Sequence, residues 1–226
     1  MNPDDVDNNY ESGWIIVAHI PTQDTRCLGD ISFHTALDAA NRPTDDYDVA
    51  KWVFVPNTYT EYRYILGTRG NKPLICIGVN PSTAAPNHLD PTLQSVERIA
   101  KHNGYDSFIM LNVYAQRATS PKQMDEACHA EMHRENLEAF RYALSLSKEP
   151  SVWAAWGTII ETRPYLADCL ADMIAVSMEY QATWYHCGRI SKKGHPHHPL
   201  YLKKDELLTP FDVMAYLEKM KGEALR

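Results

Sequence analysis

LICIGVNPS occupies residues 74–82 and sets the architecture of the chain. Its first four residues, 74–77, are apolar and predict a short buried strand. Gly78 lets the backbone turn sharply at the end of that strand, and Pro81 biases Asn80 towards an extended conformation. A polar side chain at the exit of a buried strand is typical of the ligand crevice of an open α/β sheet. The alternative is that these residues only form a turn.

Three later apolar runs show the same pattern of a short apolar stretch followed by polar or turn-forming residues. Residues 108–111 lead into Asn112, and residues 152–155 lead into a Trp-Gly pair. Residues 183–187 precede the histidine-rich stretch 195–201, HPHHPLY. Helical patterns separate the runs, because apolar residues recur at helix spacing over 92–102, 121–146, 164–178 and 213–220. Strands alternating with helices predict an α/β fold with a mostly parallel central sheet.

The N-terminal part of the chain has a different pattern. Strand-like runs occur at 14–20, 51–55 and 62–66, and the first nine residues are polar. We therefore expect residues 1–70 to form a β-rich appendage that packs on a core domain of residues 71–226.

The composition predicts a globular protein without a cofactor. The chain has 226 residues, of which 44% are hydrophobic. Its five cysteines are scattered without a C-x-x-C pair, so we expect reduced, mostly structural thiols and no metal. No apolar run is long enough to cross a bilayer and the N-terminus is acidic, so we expect a cytoplasmic protein. The oligomeric state is open, with a monomer favoured.

Negative charge is concentrated near the N-terminus. Residues 1–48 contain ten acidic against two basic side chains, whereas the rest of the chain contains 19 acidic and 20 basic ones. Five basic residues bracket the histidine-rich stretch: Arg189, Lys192, Lys193, Lys203 and Lys204. This basic rim suits phosphate contacts with DNA, although an ordinary solvated loop has the same composition.

Asn112 and the residues after it are candidates for ligand recognition. An amide donates and accepts hydrogen bonds at once, which matches the edge of a nucleobase, although Asn also caps local backbone groups. Arg117 has the charge to hold a phosphate, and a structural salt bridge is the alternative.

The stretch HPHHPLY combines three imidazoles with two prolines that stiffen the loop. A structural zinc site normally needs four ligands, and no Cys or acidic residue completes an obvious set here. A histidine that stabilises developing negative charge fits better. Leu200 and Tyr201 would then act as a wedge that holds a base out of its stack. A surface loop with solvated histidines is the simpler alternative.

Taken in order, these segments resemble a family of bacterial and phage proteins called domain of unknown function 1643. The resemblance spans about residues 62–202. It rests on the strings YRYIL (62–66), NPSTA (80–84), DPT (90–92), NVYAQRAT (112–119), WG (156–157) and HPLY (198–201).

More distantly, the arrangement resembles the uracil-DNA glycosylase superfamily, whose members are three-layer α/β/α domains. The resemblance implies that Asn80 positions the attacking water and that Asn112 recognises the base. His198 would stabilise the departing base, with His195 as the alternative because this loop has an extra residue. The implied substrate-binding residues are Gly78, Pro81, Ser82, Asp90, Asn112, Arg117, Leu200 and Tyr201.

The resemblance implies a DNA glycosylase that flips and excises a base. Ser82 stands where uracil-selective members have a bulky Tyr, which implies a roomier pocket and a modified pyrimidine as substrate. Excision of hypermodified phage bases in antiviral defence is a specific form of this expectation. Two alternatives stay open: a module that binds a nucleotide or modified DNA without turnover, and a hydrolase of free nucleosides or nucleotides.

Overall fold

A seven-stranded mixed sheet forms the centre of the computed structural model, which describes residues 18–21 and 28–224. Across the sheet the strands lie in the order β1-β2-β4-β3-β5-β6-β7. The four central strands are parallel, and β1, β2 and β7 join antiparallel at the two edges. The strands are β1 (Trp52–Val55), β2 (Ile65–Thr68), β3 (Pro73–Gly78), β4 (Ser107–Asn112), β5 (Ser151–Ala154), β6 (Thr183–Cys187) and β7 (Leu208–Pro210).

Helices cover both faces of this sheet. The helices are α1 (Phe33–Ala40), α2 (Pro91–His102), α3 (Ala130–Ser145), α4 (Tyr165–Glu179) and α5 (Val213–Ala224). Helix α2 packs on the face that includes Leu74 and Cys76, and the other helices share a core with Ile75 and Ile77 on the opposite face. Because β3 is buried on both faces, its sequence is continuously apolar rather than alternating. The expected α/β fold with a parallel centre is confirmed.

The order of the parallel strands places a crevice at the carboxyl ends of the central strands. From β3 the chain passes through α2 to β4 on one side, and then through α3 to β5 on the other side. Right-handed crossovers therefore put α2 and α3 on opposite faces. The connections after β3 and β5 diverge, and such a switch point is where open α/β sheets bind ligands.

Strands β1 and β2 continue the central sheet, because β2 pairs with β4. The strand predicted at 62–66 begins later, at Ile65, and Tyr62 forms only an isolated bridge with Gln116. Residues 18–20 form no strand. The remainder of the strand predicted at 14–20, and the first nine residues, lie outside the described residues.

The helix predicted from Pro121 is wrong in its first part. A 3₁₀ turn at Pro121–Gln123 is followed by an irregular segment, and α3 begins only at Ala130. His129 caps α3 by accepting a hydrogen bond from the amide of Met132 (3.2 Å). Arg163 holds the irregular segment through bonds to its carbonyls, including that of Met124 at 2.6 Å.

Candidate functional site

A cavity of about 340 Å³ opens at the carboxyl ends of β3 and β4. This volume falls within the usual range for small-ligand pockets. Among the residues that line the cavity are Asn80, Asn112 and His198. The switch point thus brings together one side chain from each of three motifs that are far apart in sequence.

The two loops that carry the asparagines are held together by backbone hydrogen bonds. Beyond the last ladder pair, the amide of Val113 donates to the carbonyl of Gly78 (2.9 Å), and Tyr114 donates to Val79 (3.0 Å). Further on, Ala118 donates to the carbonyl of Pro81 (2.9 Å). These bonds extend the pairing of β3 and β4 past the end of the sheet, so both loops are rigid.

The side chain of Asn80 has a defined orientation. Its Nδ2 donates to the carbonyls of Ala118 (2.7 Å) and Pro81 (3.1 Å). A flipped amide would place oxygen against two carbonyl oxygens, so this assignment follows from the hydrogen-bond network. Within the described part of the chain Oδ1 accepts no hydrogen bond, which leaves it as an acceptor for a ligand or water.

Asn112 presents a buried amide to the cavity. The residue is 1% exposed, and neither Nδ2 nor Oδ1 has a hydrogen-bond partner among residues 18–21 and 28–224. Its carbonyl accepts from Nδ2 of the buried Asn136 (2.9 Å), which ties the end of β4 to α3. An unsatisfied buried amide costs about 1–3 kcal/mol, a cost that a ligand offering a donor and an acceptor would offset.

His198 lies on the wall of the same cavity, immediately before the 3₁₀ turn Pro199–Tyr201. Its Nδ1 accepts a hydrogen bond from the amide of Leu200 (3.4 Å), so the neutral ring carries its proton on Nε2. Burial lowers the pKa of His198, the charge of Asp90 opposes that change, and His197 reinforces it. At neutral pH His198 is therefore a neutral hydrogen-bond donor.

Gly157 allows the His198 backbone to lie close to the loop after β5. Its φ is +60°, a conformation that L side chains rarely adopt, and a Cβ there would lie 3.3 Å from Cβ of His198. The Trp156 ring packs in the core. The Trp-Gly pair therefore serves both packing and the placement of the histidine.

Leu200 lines the cavity and is 39% exposed. The 3₁₀ turn that carries it is fixed to α2, because Ser95 Oγ donates to the carbonyl of Pro199 (2.8 Å). The side chain of Tyr201 lies outside the described part of the structure.

His195 occupies a different environment from His198. It is 4% exposed and is not part of the cavity wall. Its Nδ1 lies 2.8 Å from the Tyr216 hydroxyl, which accepts from Nε1 of Trp156 (2.9 Å). Its Nε2 lies 3.0 Å from Oε1 of Glu161. His195 thus ties its loop to α5 and to the 3₁₀ helix Gly157–Thr162, which is a positioning role.

The remaining predicted site residues divide into two groups. Gly78, Ser82 and Asp90 line the cavity, and Asp90 also caps α2 by accepting from the amide of Leu93 (2.9 Å). Pro81 and Arg117 are not in the cavity wall. The buried Arg117 guanidinium donates to the carbonyl of Ser82 and stacks on the Tyr59 ring, 4.3 Å from its centroid.

Among the cavity residues that were not predicted as site residues, Arg63 is the charged one. It lines the cavity although it precedes β2, on the far side of β4. A signal was present in the sequence, because an arginine within the otherwise apolar and aromatic string YRYIL is unusual. Its partners cannot be inferred from spacing alone.

The basic rim is exposed in the structure, at Arg189, Lys192, Lys193, Lys203 and Lys204. Lys193 pairs with Glu161 at 2.6 Å. Among the described residues, no group of three or more His, Cys, Asp or Glu side chains has the arrangement of a metal site. Cys128 and Cys169 are free thiols with sulfur atoms 3.9 Å apart, and Cys27 lies outside the described residues.

These features define an α/β protein with a mainly apolar crevice at the switch point of its parallel strands, into which a few polar side chains project. The chain belongs to the family described as protein of unknown function DUF1643, whose model matches residues 63–200. Neither the curated proteins nor the solved structures yielded a match to the chain. None of the helices in the described ranges has the length and apolar character needed to span a membrane.

Proposed function

We propose that the protein is a DNA glycosylase-like hydrolase, related in arrangement to the uracil-DNA glycosylase superfamily, that removes a modified pyrimidine. The observation that carries this proposal is the convergence of Asn80, Asn112 and His198 on one cavity. Each residue offers the hydrogen-bonding group that its role requires. Had the three side chains faced different surfaces, the proposal would have no basis.

The chemistry follows from the free atoms of these side chains. A water that donates to Oδ1 of Asn80 attacks C1′ of the sugar, the bond from C1′ to the base nitrogen breaks, and its electron pair stays with the base. Nε2–H of His198 donates to an oxygen of the departing base, and the Asn112 amide pairs with the base edge. The water gives up a proton to solvent as the base takes one up.

Leaving-group stabilisation has to contribute most of the rate enhancement in this scheme. An asparagine cannot accept the proton of water as a carboxylate can, so Asn80 orients the water without acting as a strong base. Fixed donors aimed at developing negative charge are the effective alternative, and they act best where solvent is excluded. His198 meets this description because it is largely buried and held by its own loop.

The cavity supports a substrate larger than an unmodified base. Ser82, a small residue, lines the wall next to Asn80, so space is available beside the base. A pyrimidine carrying a bulky substituent, of the kind found in hypermodified phage DNA, fits this shape, and its removal would serve antiviral defence. In this proposal the exposed Leu200 fills the gap that the flipped nucleotide leaves in the duplex.

Abasic-site formation on duplexes that each carry one modified pyrimidine tests the proposal. We expect strand cleavage after alkali treatment with the wild type, and a loss of at least a hundredfold in rate for Asn80→Ala and His198→Ala. Asn71→Ala, at an exposed position, is the matched control.

Each alternative function predicts a different outcome of the same assay. Tight binding of modified DNA without abasic product on any substrate would identify a binding module. Release of base from mononucleotides only would identify a hydrolase of free nucleotides.

A further inference from the structure

Arg63 places a buried cation in the wall of the cavity. The residue is 1% exposed and lines the cavity with Asn112 and His198. Two backbone carbonyls fix it: its amide donates to Ala115 (2.9 Å), and its Nη1 donates to Ala84 (2.9 Å). The first bond fixes the backbone of Arg63, and the second orients its guanidinium.

The charge of Arg63 is incompletely compensated. In the described part of the chain Nε has no hydrogen-bond partner, and none of the ion pairs includes Arg63. Burial is the main reason that the pKa of Arg63 falls to about 9. The charge of Arg117, a second buried guanidinium, repels the charge of Arg63 and lowers its pKa. The negative charge of Asp90 offsets part of this repulsion.

A buried guanidinium with a free donor is costly when no partner satisfies its charge. Burying an ion stabilises a protein only when partners satisfy its charge and its donors. Replacing such an ion by an apolar side chain of similar volume is often neutral or stabilising. Packing therefore does not account for an arginine at this position, whereas a ligand with an acceptor oxygen would.

The surrounding wall carries charges of both signs, because the Asp90 carboxylate lines the cavity together with the N-terminus of α2. Pro91 and Thr92, the first residues of α2, line the cavity, and the N-terminus of a helix carries partial positive charge. Asp90 caps α2 and occupies one of its amides, that of Leu93. The guanidinium fork matches carboxylate and phosphate oxygens better than it matches neutral groups.

We propose that the cavity accepts a ligand with an anionic oxygen group, a carboxylate or a phosphate, and that Arg63 binds that group. This inference rests on the proposed function for the nucleobase part of the ligand. The anionic group has two possible sources: a substituent on the modified base, or the 5′-phosphate of a free nucleotide.

Calorimetric titration of the full chain with matched nucleosides tests the inference. The probes are deoxycytidine as the neutral reference, 5-carboxydeoxycytidine with the anion on the base, and deoxycytidine 5′-monophosphate with the anion on the sugar. We expect at least one anionic probe to bind tenfold or more tightly than deoxycytidine, and Arg63→Met to abolish that preference.

The variants are chosen so that misfolding cannot imitate the result. Arg63→Met should retain the melting temperature of the wild type or exceed it, because an uncompensated ion is removed. Arg63→Lys keeps the charge without the fork and should retain part of the preference. Arg69→Met removes an exposed guanidinium that also donates to a backbone carbonyl, that of Val49, and should change nothing.

Equal binding of all three probes, failure of every probe to bind, or a preference that survives Arg63→Met would each overturn the inference. The anionic probe that is preferred identifies the source of the group. The abasic-site assay judges the proposed function separately. Anion preference without cleavage supports anion binding by Arg63 and refutes glycosylase activity. Cleavage without anion preference supports glycosylase activity and refutes anion binding by Arg63.

Discussion

At position 80 the amide nitrogen is what anchors the side chain. Asn80→Asp would place a carboxylate oxygen where Nδ2 now meets the carbonyls of Pro81 and Ala118. Because two hydrogen bonds become repulsive contacts, we expect a loss of about 1–3 kcal/mol in the free energy of unfolding, measured in urea at pH 7. Asn71→Asp, at an exposed site, should cost less than about 0.5 kcal/mol. Equal stability of the two variants would contradict the assigned orientation of Asn80.

Gly78 makes room for the side-chain amide of Asn112. A Cβ at this position would lie 2.6 Å from Cε of Met110 and 2.9 Å from Oδ1 of Asn112. The methionine end can move, but the amide can only leave its place in the cavity wall. We therefore expect Gly78→Ala to weaken nucleoside binding by tenfold or more, measured by calorimetry, while the folded state persists. Gly29→Ala is the control, because nothing lies within 4 Å of its added Cβ. Unchanged affinity in Gly78→Ala would argue against ligand contact by Asn112.

The lowered pKa of His198 has a consequence for stability at acid pH. The unfolded chain takes up a proton on this ring near the ordinary pKa of 6.5, while the folded protein keeps it neutral to lower pH. The resulting stability is present above pH 6.5 and is lost as the pH falls through 6.5 towards the folded pKa. His198→Asn keeps an acceptor for the amide of Leu200 and removes the titration. Between pH 7.5 and 5 the wild type should therefore lose more unfolding free energy than His198→Asn, and parallel curves would contradict this. His102→Asn, on the exposed end of α2, is the control.

Among the elements, strand ends were easier to predict than the segment before α3. Strands β3 to β6 were predictable because each is an apolar run closed by a residue that breaks strands. Residues 124–129 follow a proline with helical spacing, yet distant partners determine their conformation. The amide of Asp125 donates to Oε1 of Gln116 (2.9 Å), and the amide of His129 donates to the Tyr114 hydroxyl (2.8 Å). Such long-range bonds override local helix propensity.

The candidate site likewise combines features that the local sequence predicts with features that depend on distant partners. The convergence of three side chains was predictable, because each closes or follows a buried strand and a parallel sheet brings such positions to the carboxyl ends of its strands. The three are Asn80, Asn112 and His198. The separate roles of His195 and His198 were not predictable, since both lie in one histidine-rich loop and only their partners distinguish them. Tyr216, which contacts His195, comes from α5 at the end of the chain.

A buried hydrogen bond from Ser95 Oγ to the carbonyl of Pro199 (2.8 Å) joins helix α2 to the 3₁₀ turn after His198. Ser95→Ala leaves this carbonyl without its donor, so we expect a loss of about 1 kcal/mol in unfolding free energy. The turn carrying Leu200 should also loosen, which would weaken binding of duplex DNA more than binding of a free nucleoside. Ser145→Ala is the control, because its hydroxyl bonds the carbonyl of Tyr142 on an exposed surface. Equal losses for duplex and nucleoside would show that the turn does not contact the duplex.

Over the whole molecule, the net charge of −7 and a nucleic-acid ligand are compatible because the charge is unevenly distributed. The acidic excess lies in residues 1–48, whereas basic side chains surround the loop that carries His198. DNA binding would then depend on the local potential at the crevice and not on the net charge of the chain.

Salt dependence of DNA affinity tests this distribution. Each neutralised phosphate contributes about 0.9 to the slope of log affinity against log salt concentration. We expect a lower slope and weaker binding, measured by fluorescence anisotropy at several salt concentrations, when four exposed rim residues are changed to Gln: Arg189, Lys192, Lys203 and Lys204. Lys193 is left in place because it pairs with Glu161. Lys51→Gln with Lys148→Gln removes exposed charge before β1 and after α3, outside the basic rim, and should leave the slope unchanged. A slope that falls as much in this control as in the rim variant would assign DNA binding to overall charge. A slope that falls in the rim variant alone would place the phosphates of the duplex at the basic rim beside the crevice.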